Sequence, residues 1–327
     1  MNKRNPLLDI TTKTFRQSIN EDRFVYYGIA ILLVVLYHLY CRTGLGIVAP
    51  FSKGAIGVDI FLFFSGYGLC YSYEKNTLKE YYWRRFKRIL PIFWVNLLFL
   101  TLVNGGGKLN LWDFACNFLC IPPFYGIDGT IIDWFTAAIL HFYLFFPVLY
   151  FLVKKALFPV YICSVVFAVA MLYKGDLTWQ QYCFTDRIPI FLLGIAFHIY
   201  SESRAKLLSL MGLSVFLGSV LFFWRQVPYM YWLIYALVCP LLLYVLYMVV
   251  ANRYLLAISM IRRSWDRIRI FGKSSLEIYY GDGNANIATK LCQGSYEMLV
   301  YSSFLTIFFS YVFYCVSKEL KEKLTKK

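Results

Sequence analysis

The sequence has few charged residues and only three histidines. Charged side chains make up 16% of its 327 residues, whereas soluble domains carry about 25%. Hydrophobic residues reach 60%, aromatic residues reach 20%, and the mean hydropathy is +0.57. This composition excludes a soluble globular domain. It predicts an all-α, polytopic integral membrane protein built as a bundle of helices.

The nine cysteines do not form a metal-binding pattern. They are scattered, mostly within apolar runs, where cysteine acts as a small hydrophobic residue. Cys116 and Cys120 lie four residues apart, but no nearby histidine or second cysteine pair completes a set of zinc ligands. We therefore expect no metal site.

A cleavable signal peptide is not evident at the start of the chain. The first apolar run, at 24–41, is too long for the hydrophobic core of such a peptide and lacks a small-x-small cleavage site. We expect this run to stay in the membrane as the first helix. No internal repeat and no linker divides the rest of the chain, which favours one membrane domain.

Ten apolar runs predict about ten transmembrane helices. One of them, at 276–292, is weaker because the sequence GDGNAN interrupts it. The runs lie at 24–41, 55–73, 89–104, 131–153, 156–173, 187–201, 206–224, 231–251, 276–292 and 298–317.

The basic residues predict the orientation of these helices. With ten spans and a cytoplasmic N-terminus, the inner segments carry 26 of the 33 Lys and Arg residues. This asymmetry is typical of cytoplasmic loops. We expect a tail at 1–23, a transmembrane domain at 24–317 and a basic tail at 318–327, with both termini cytoplasmic. The net charge of +15 then faces anionic membrane lipids and does not indicate nucleic-acid binding.

His38 is the first candidate for chemistry. It lies at the outer end of the first apolar run, where an ionisable side chain is costly unless it faces the bundle interior or a wet cavity. Imidazole also exchanges protons near neutral pH. Asp59, one turn into the second helix, is expected in the same membrane layer, where a carboxylate would orient the imidazole. A hydrogen-bonded interfacial histidine is the structural alternative.

Two further helices are expected to begin in this outer layer. One begins at Asp133 and Trp134, and another begins at Asp186 and Arg187. These residues are candidates for binding a substrate. Because aspartate is common at the first turn of a helix, simple capping at the interface is an equal alternative.

Arg84, Arg85 and Arg88 form a basic cluster before the third apolar run. Arg84 and Arg88 share a helix face, and the planar guanidinium suits phosphate groups. Anchoring to lipid headgroups is the alternative. The other two histidines, His141 and His198, have no partner visible in the sequence and are expected to be structural.

These segments together resemble membrane acyltransferase family 3. The resemblance rests on six segments in the family's order, and the series covers most of the chain. They are GIAILLVVLYH (28–38), GVDIFLFFSGYGL (57–69), YYWRRFKRILPIFW (81–94), WFTAAILHFYLFFPVL (134–149), RIPIFLLGI (187–195) and FGKSSLEIYY (271–280).

The sequence departs from the family pattern at two positions. Tyr27 stands where many members carry an arginine, and Arg23, one turn earlier, reaches the same inner region about 22 Å from His38. Asp282 stands where the family has a histidine.

The resemblance implies a bacterial, multi-pass enzyme of the cytoplasmic membrane. The donor would be cytosolic acyl-CoA, most simply acetyl-CoA, and the acceptor a hydroxyl of a surface polysaccharide or lipid-linked sugar, so that the product is an O-acetylated glycan. His38 would be the general base or acyl relay, with Asp59 beside it. Arg84, Arg85, Arg88 and Arg23 would bind CoA. No cofactor would stay bound. The alternative is a transporter or flippase of lipid-linked saccharides without covalent chemistry.

Overall fold

The computed structural model describes residues 15–103, 111–119, 134–175, 179–224, 229–252, 259–288 and 295–325. Thirteen α-helices and one 3₁₀ segment, Gly46–Phe51, account for nearly all of this described part. The helices are α1 (Phe15–Thr43), α2 (Ile56–Lys75), α3 (Leu78–Val103), α4 (Leu111–Phe118), α5 (Trp134–Lys155), α6 (Leu157–Lys174), α7 (Trp179–Thr185), α8 (Ile188–Ile199), α9 (Arg204–Phe223), α10 (Met230–Val250), α11 (Ser259–Lys273), α12 (Ser275–Ala288) and α13 (Ser295–Thr325).

Eight segments of the described part are long and apolar enough to cross a membrane. The predicted polytopic all-α fold is therefore confirmed, while the number of ten spans remains a prediction. Helices α3 and α12 are not among the eight, and α12 has only 14 residues. The eight are Arg16–Thr43, Gly46–Lys75, Trp134–Lys155, Leu157–Lys174, Gln181–Ile199, Arg204–Phe223, Met230–Val250 and Glu297–Leu320.

The chain divides into two compact units. The first comprises residues 1–61 and 239–315, and the second comprises residues 62–238 and 316–327. The expected transmembrane domain at 24–317 thus contributes to both units.

Helix α1 is the centre of the first unit and packs closely against α11. A Cβ at Gly28 would overlap the carbonyl group of Ile268, and a Cβ at Gly272 would overlap the carbonyl group of Phe24. The two backbones therefore touch at positions where only glycine fits, as small residues allow in membrane helices. The sequence predicted only a basic cytoplasmic segment at 252–275, and the structure places the 15-residue helix α11 within it.

Aromatic side chains and paired glycines hold the second unit together. Gly66 in α2 and Gly194 in α8 each lie against backbone atoms of the opposite helix, so these helices also cross at close range. The rings of Phe142 in α5 and Phe191 in α8 stack with 4.3 Å between centroids. Tyr161 in α6 donates a 2.6 Å hydrogen bond to Ser214 in α9. Helix α6 also packs against α8, so these contacts join five helices of this unit in one buried core.

Candidate active site

His38 lies five residues before the end of α1. The helix runs for 29 residues without a break, because its apolar stretch contains neither proline nor an internal charged residue between Phe24 and Cys41. Its length is about 43 Å at 1.5 Å per residue. The imidazole is thus carried near one end of a long, rigid element, and its side chain is 35% exposed.

The carboxylate that contacts His38 belongs to Asp282, in the middle of α12. The His38 ring donates from Nδ1 to the Oδ2 atom of Asp282 over 2.5 Å. The Asp282 side chain is only 1% exposed, so the pair combines an open imidazole with an enclosed carboxylate. A buried charge requires partners to offset its desolvation.

Arg42 supplies that compensation from the same helix as His38. Its guanidinium donates to Oδ1 of Asp282 over 2.7 Å and to the Asp282 carbonyl oxygen over 2.9 Å. It also donates to the Ser302 hydroxyl over 2.5 Å, and Thr306 donates to Oδ1 of Asp282 over 3.3 Å. Two residues of α13 therefore complete a network that fixes both oxygens of the carboxylate. We call His38, Arg42, Asp282, Ser302 and Thr306 the His38 network.

This geometry determines which ring nitrogen is available. Asp282 accepts from Nδ1, so the neutral imidazole of His38 carries its proton on Nδ1 and its lone pair on Nε2. The charges of Asp282 and Arg42 cancel within the network. The arrangement can therefore accept a proton at Nε2 and stabilise the resulting imidazolium through the carboxylate.

Asp59 does not lie at the level expected from the sequence. A Cβ at Gly57 would overlap the carbonyl oxygen of Ala30, eight residues before His38 in α1. That separation is about 12 Å along the helix axis. The 3₁₀ segment and the turn that follows it run back along α1 before α2 begins at Ile56. Asp59 is thus fully buried, well below His38, and it does not bond the imidazole.

The predicted arginine cluster lies at the start of α3. Thr77 and Glu80 form a capping box there, in which the Thr77 backbone N–H and hydroxyl donate to the Glu80 carboxylate. Those donors hold the pKa of Glu80 below its usual value. The box fixes the first turn of α3 ahead of the arginines.

The three arginines differ in exposure. Arg84 and Arg88 are exposed. Arg85 is half-buried, and its buried Nε has no hydrogen-bond partner within the described residues. The cluster is held in place by Tyr81 and Tyr82, whose hydroxyls donate to backbone carbonyls of α5 over 3.2 and 2.9 Å. Burial raises the pKa of Tyr81 well above its usual value, so this donor stays protonated. The site is thus rigid and cationic.

Arg23 and Tyr27 lie in the first half of α1. Arg23 is exposed, with its guanidinium 4.8 Å from the centre of the Phe24 ring. Tyr27 stacks on Phe61 with 5.5 Å between ring centroids. Position 27, where the resemblance led us to expect an arginine, is therefore occupied by an aromatic packing contact, while Arg23 keeps a cation available one turn earlier.

The structure brings Trp134 and Arg187 into contact. The Arg187 guanidinium lies 4.7 Å from the centre of the Trp134 ring and 5.4 Å from that of Trp232. It also donates to the Cys183 carbonyl oxygen over 3.0 Å. Cation–π contacts of this kind gain strength when they are desolvated, and Arg187 is fully buried. Asp133, the remaining predicted member, lies outside the described residues.

The two other histidines have structural partners. His141 bonds the Ala137 carbonyl oxygen one turn earlier in α5, at 2.7 Å. His198 bonds the Glu74 carboxylate at 2.9 Å, and the Tyr150 hydroxyl donates to the same carboxylate over 2.7 Å. The contacts of Glu74 with His198 and Tyr150 join the ends of α2, α5 and α8. Among the described residues, no group of three His, Cys, Asp or Glu side chains is arranged to hold a metal ion.

Sequence reasoning missed Arg42, Asp282, Ser302 and Trp232 as site members. Asp282 and Ser302 are more than 200 residues from His38 in the chain, and no local spacing links them. One signal was present for Asp282, since it stands where the family pattern has a histidine.

One comparison with known proteins found a match. The model of the acyltransferase domain of acyltransferase family 3 matches residues 28–280, which is most of the chain. This match supports an acyltransferase activity, and the apolar helices make the protein a multi-pass membrane protein. No curated protein and no solved structure matches the chain significantly.

Proposed function

The chain belongs to acyltransferase family 3, and from that premise we propose that it transfers an acyl group from cytosolic acyl-CoA to a sugar hydroxyl. The acceptor is a surface polysaccharide or a lipid-linked sugar at a bacterial cytoplasmic membrane, and the simplest donor is acetyl-CoA. The observation that carries this proposal is the His38 network, with an exposed imidazole whose Nδ1 is bound by a buried carboxylate.

His38 acts as the general base in this proposal. Its Nε2 takes the proton of the acceptor hydroxyl while that oxygen attacks the thioester carbonyl. The carbon–sulfur bond breaks, the CoA thiolate leaves, and the proton on the imidazole neutralises it. Asp282 holds the ring orientation and stabilises the imidazolium, as the carboxylate of a catalytic triad does.

An acyl relay through the same nitrogen is the variant of this mechanism. Nε2 attacks the thioester first, CoA leaves, and the acyl-imidazole then passes the acyl group to the hydroxyl. Both variants need Nε2 unprotonated and open, which is supported by the Nδ1 contact and by the 35% exposure of His38. Trapping of a labelled acyl-enzyme after mixing with donor alone distinguishes them.

Donor phosphates are assigned to the arginine cluster at the start of α3, with Arg23 as a further donor contact. Two observations support this assignment. The hydroxyls of Tyr81 and Tyr82 fix the start of α3 against α5, and the guanidinium of Arg85 is half-buried with an unpartnered Nε among the described residues. Arg88→Lys keeps the charge but removes the planar fork, so we expect a 10- to 100-fold rise in donor KM. Arg204→Lys, at the exposed start of α9, is the matched control.

The test measures donor and acceptor KM in separate titrations for Arg84→Lys, Arg85→Lys and Arg88→Lys. A selective rise in donor KM supports the assignment. Unchanged donor KM in all three variants would leave the cluster as an anchor for lipid headgroups.

The acceptor sugar is assigned to Trp134, Arg187 and the predicted member Asp133. The assignment of Trp134 and Arg187 is supported by their cation–π contact, in which the buried guanidinium lies over one face of the indole ring. Indole rings present flat apolar surfaces that suit the apolar faces of sugars, and the polar rim of a pocket fixes their hydroxyls. Trp134→Phe should raise acceptor KM and leave donor KM unchanged.

Orientation is part of the proposal, because the donor is cytosolic. The split of 26 basic residues against seven predicts that both termini are cytoplasmic. Reporter fusions at both ends test this directly. A reporter at Lys327 that is active only outside the cytoplasm would contradict the orientation.

The function itself is tested by glycan analysis of cells with and without the gene, together with transfer of labelled acetyl from acetyl-CoA by the purified protein. An ester lost on deletion and formed by the purified protein supports the enzyme. A saccharide transporter, the alternative, would change the amount of exported glycan without forming an ester in vitro. His38→Ala would leave such transport intact.

A further inference from the structure

Helix α11 is an amphipathic element fixed to the first half of α1. Besides the glycine contacts at Gly28 and Gly272, Arg269 forms an ion pair with Asp22 at 2.5 Å. The Asp22 side chain is 2% exposed, so α11 is anchored by a nearly buried carboxylate. The 15-residue helix carries five basic residues and one acidic residue. It lies in a segment, 252–275, for which the basic-residue distribution predicts a cytoplasmic location.

One stripe of α11 lines a cavity of about 290 Å³. The lining residues are Arg262, Trp265, Asp266 and Arg269, at spacings of three, one and three residues, which place them on one helix face. Pockets for drug-sized ligands run from about 300 to 1,000 Å³. The cavity therefore has room for a base and its sugar, but not for a whole acyl-CoA molecule.

One residue that lines the cavity has a polar atom without a partner. The indole Nε1 of Trp265 is buried and has no hydrogen-bond partner in the part of the chain that the structure describes. A buried donor without an acceptor is unfavourable, and a bound ligand that offers an acceptor would relieve that cost. Trp265 also presents an aromatic surface on which a base can stack.

The charged groups of the cavity have separate roles. Arg269 is held by Asp22 at 2.5 Å and by Asp266 at 3.1 Å, so it positions the cavity wall. Arg262 is exposed and offers a planar fork for a phosphate group. Asp266 is exposed and can accept hydrogen bonds from an exocyclic amino group. A cation, an indole and a carboxylate on one stripe match an aminopurine nucleotide.

We propose that the cavity on α11 binds the adenosine 3′-phosphate end of the acyl-CoA donor. The inference rests on the proposed function for the identity of the donor, and it adds a nucleotide site which neither the family pattern nor the arginine cluster includes. An anionic lipid headgroup would also attract Arg262, but it has no amino group on a planar ring to use Asp266 and no base to stack on Trp265.

Direct binding tests the site without any transfer reaction. The probe is adenosine 3′,5′-bisphosphate, titrated into the purified full-length protein in a neutral detergent and followed by calorimetry. Arg262→Gln should weaken binding about tenfold or more, because one charge-assisted contact is lost. Trp265→Phe keeps a ring but removes the N–H and should weaken binding less. Arg263→Gln is the matched control, since it removes the same charge from an exposed neighbour that does not line the cavity.

The outcomes are distinct. Weakening by Arg262→Gln and Trp265→Phe with an unchanged Arg263→Gln supports the site. Equal weakening by Arg262→Gln and Arg263→Gln would show attraction by the net charge of the helix and overturn it. Displacement of the probe by phosphatidylglycerol, but not by CoA, would make the cavity a lipid site and would also overturn the proposal.

A comparison of two donors separates this proposal from the proposed function. The variant Arg262→Gln should lower kcat/KM about tenfold with acetyl-CoA and leave it unchanged with S-acetylpantetheine, which lacks the nucleotide. Acetyl transfer with equal losses for both donors would reject the nucleotide site while the acyltransferase function stands. Binding of the bisphosphate with no transfer from either donor would reject the function while the site stands.

Discussion

Two imidazole–carboxylate pairs lie in the described part of this molecule, one in each unit, and the exposures of their two members are reversed. In the first unit, His38 is 35% exposed while Asp282 is 1% exposed. In the second unit, His198 is 8% exposed while Glu74 is 40% exposed. The open group is thus the imidazole in one pair and the carboxylate in the other. Only the first pair offers a basic nitrogen to a ligand.

The ring nitrogens show the same contrast. Asp282 binds Nδ1 of His38, and the opposite nitrogen remains open for proton transfer. The two carboxylate oxygens of Glu74 contact Nε2 of His198 at 2.9 and 3.1 Å. The rings of Tyr71 and Tyr67 pack edge-to-face with the imidazole, with 4.4 and 5.4 Å between ring centroids. A histidine–carboxylate pair is therefore not a catalytic signature by itself. The accessible nitrogen decides which chemistry is possible.

The largest effect is expected from replacing the open imidazole. His38→Gln keeps a hydrogen-bond donor for Asp282 but provides no base, so kcat should fall by about 10²- to 10⁴-fold. The protein should still insert, because the side chain borders solvent and contributes little packing. The measurement is labelled-ester formation by the purified variant, with His198→Gln as the control from the second pair. Ester formation near the wild-type rate by His38→Gln would remove it as the base.

The next effect is expected from the carboxylate of the first pair. Asp282→Asn removes the charge that orients Nδ1–H and stabilises the imidazolium, so kcat should fall by about 10²-fold or more. It also leaves the Arg42 charge without its buried counter-ion, which costs about 3 kcal/mol of stability. Both kcat and thermal unfolding in detergent are to be measured.

A double variant separates these two consequences. Arg42→Gln combined with Asp282→Asn leaves no uncompensated charge in the His38 network, so the unfolding temperature should recover while kcat stays low. Recovery of both the unfolding temperature and kcat would show that Asp282 contributes to stability alone. The His38–Asp282 pair would then be structural, as we expect for the His198–Glu74 pair.

The fold was predictable from the sequence to a large extent, and the partner of His38 was not. Apolar runs long enough to span a bilayer predicted the helices, because hydropathy is a local property of the sequence. His38 stood out because an ionisable residue in such a run is costly. Its partner depends on how α12 packs against α1, and that contact joins residues 244 positions apart.

The expectation for Asp59 shows why local reasoning failed. Counting residues from the end of an apolar run assumes that the chain crosses directly from one helix to the next. Here the 3₁₀ segment Gly46–Phe51 and the following turn lower the start of α2 along α1. The depth of a side chain in a bundle is therefore set by loop geometry as well as by hydropathy. The helix α11 was missed for a similar reason, since its basic composition obscured the glycine contacts that hold it against α1.

A smaller effect is expected from the guanidinium that holds Asp282. Arg42→Lys preserves the charge but cannot reach the Ser302 hydroxyl, the Oδ1 atom of Asp282 and the Asp282 carbonyl oxygen at once, so the carboxylate should lose alignment. We expect kcat to fall about tenfold, with donor and acceptor KM unchanged. Steady-state titration of each substrate measures this, and Arg267→Lys, an exposed guanidinium of α11 that does not line the cavity, is the control. A change in KM without a change in kcat would contradict a positioning role.

The smallest effect on catalysis is expected from the second pair. His198→Gln keeps a donor to Glu74 within the tyrosine enclosure, and Glu74→Gln keeps an acceptor for Tyr150. Each loses only the charge-assisted part of a contact whose carboxylate is partly in solvent, so stability should fall by about 1 kcal/mol or less. Ester formation should stay within about twofold of wild type, since the His198 side chain is only 8% exposed and is enclosed by two tyrosine rings. The measurements are thermal unfolding and labelled-ester formation for both variants. A loss of kcat comparable to that of His38→Gln, with unfolding unchanged, would mean that the second pair takes part in the reaction, and that exposure alone does not separate the two imidazoles.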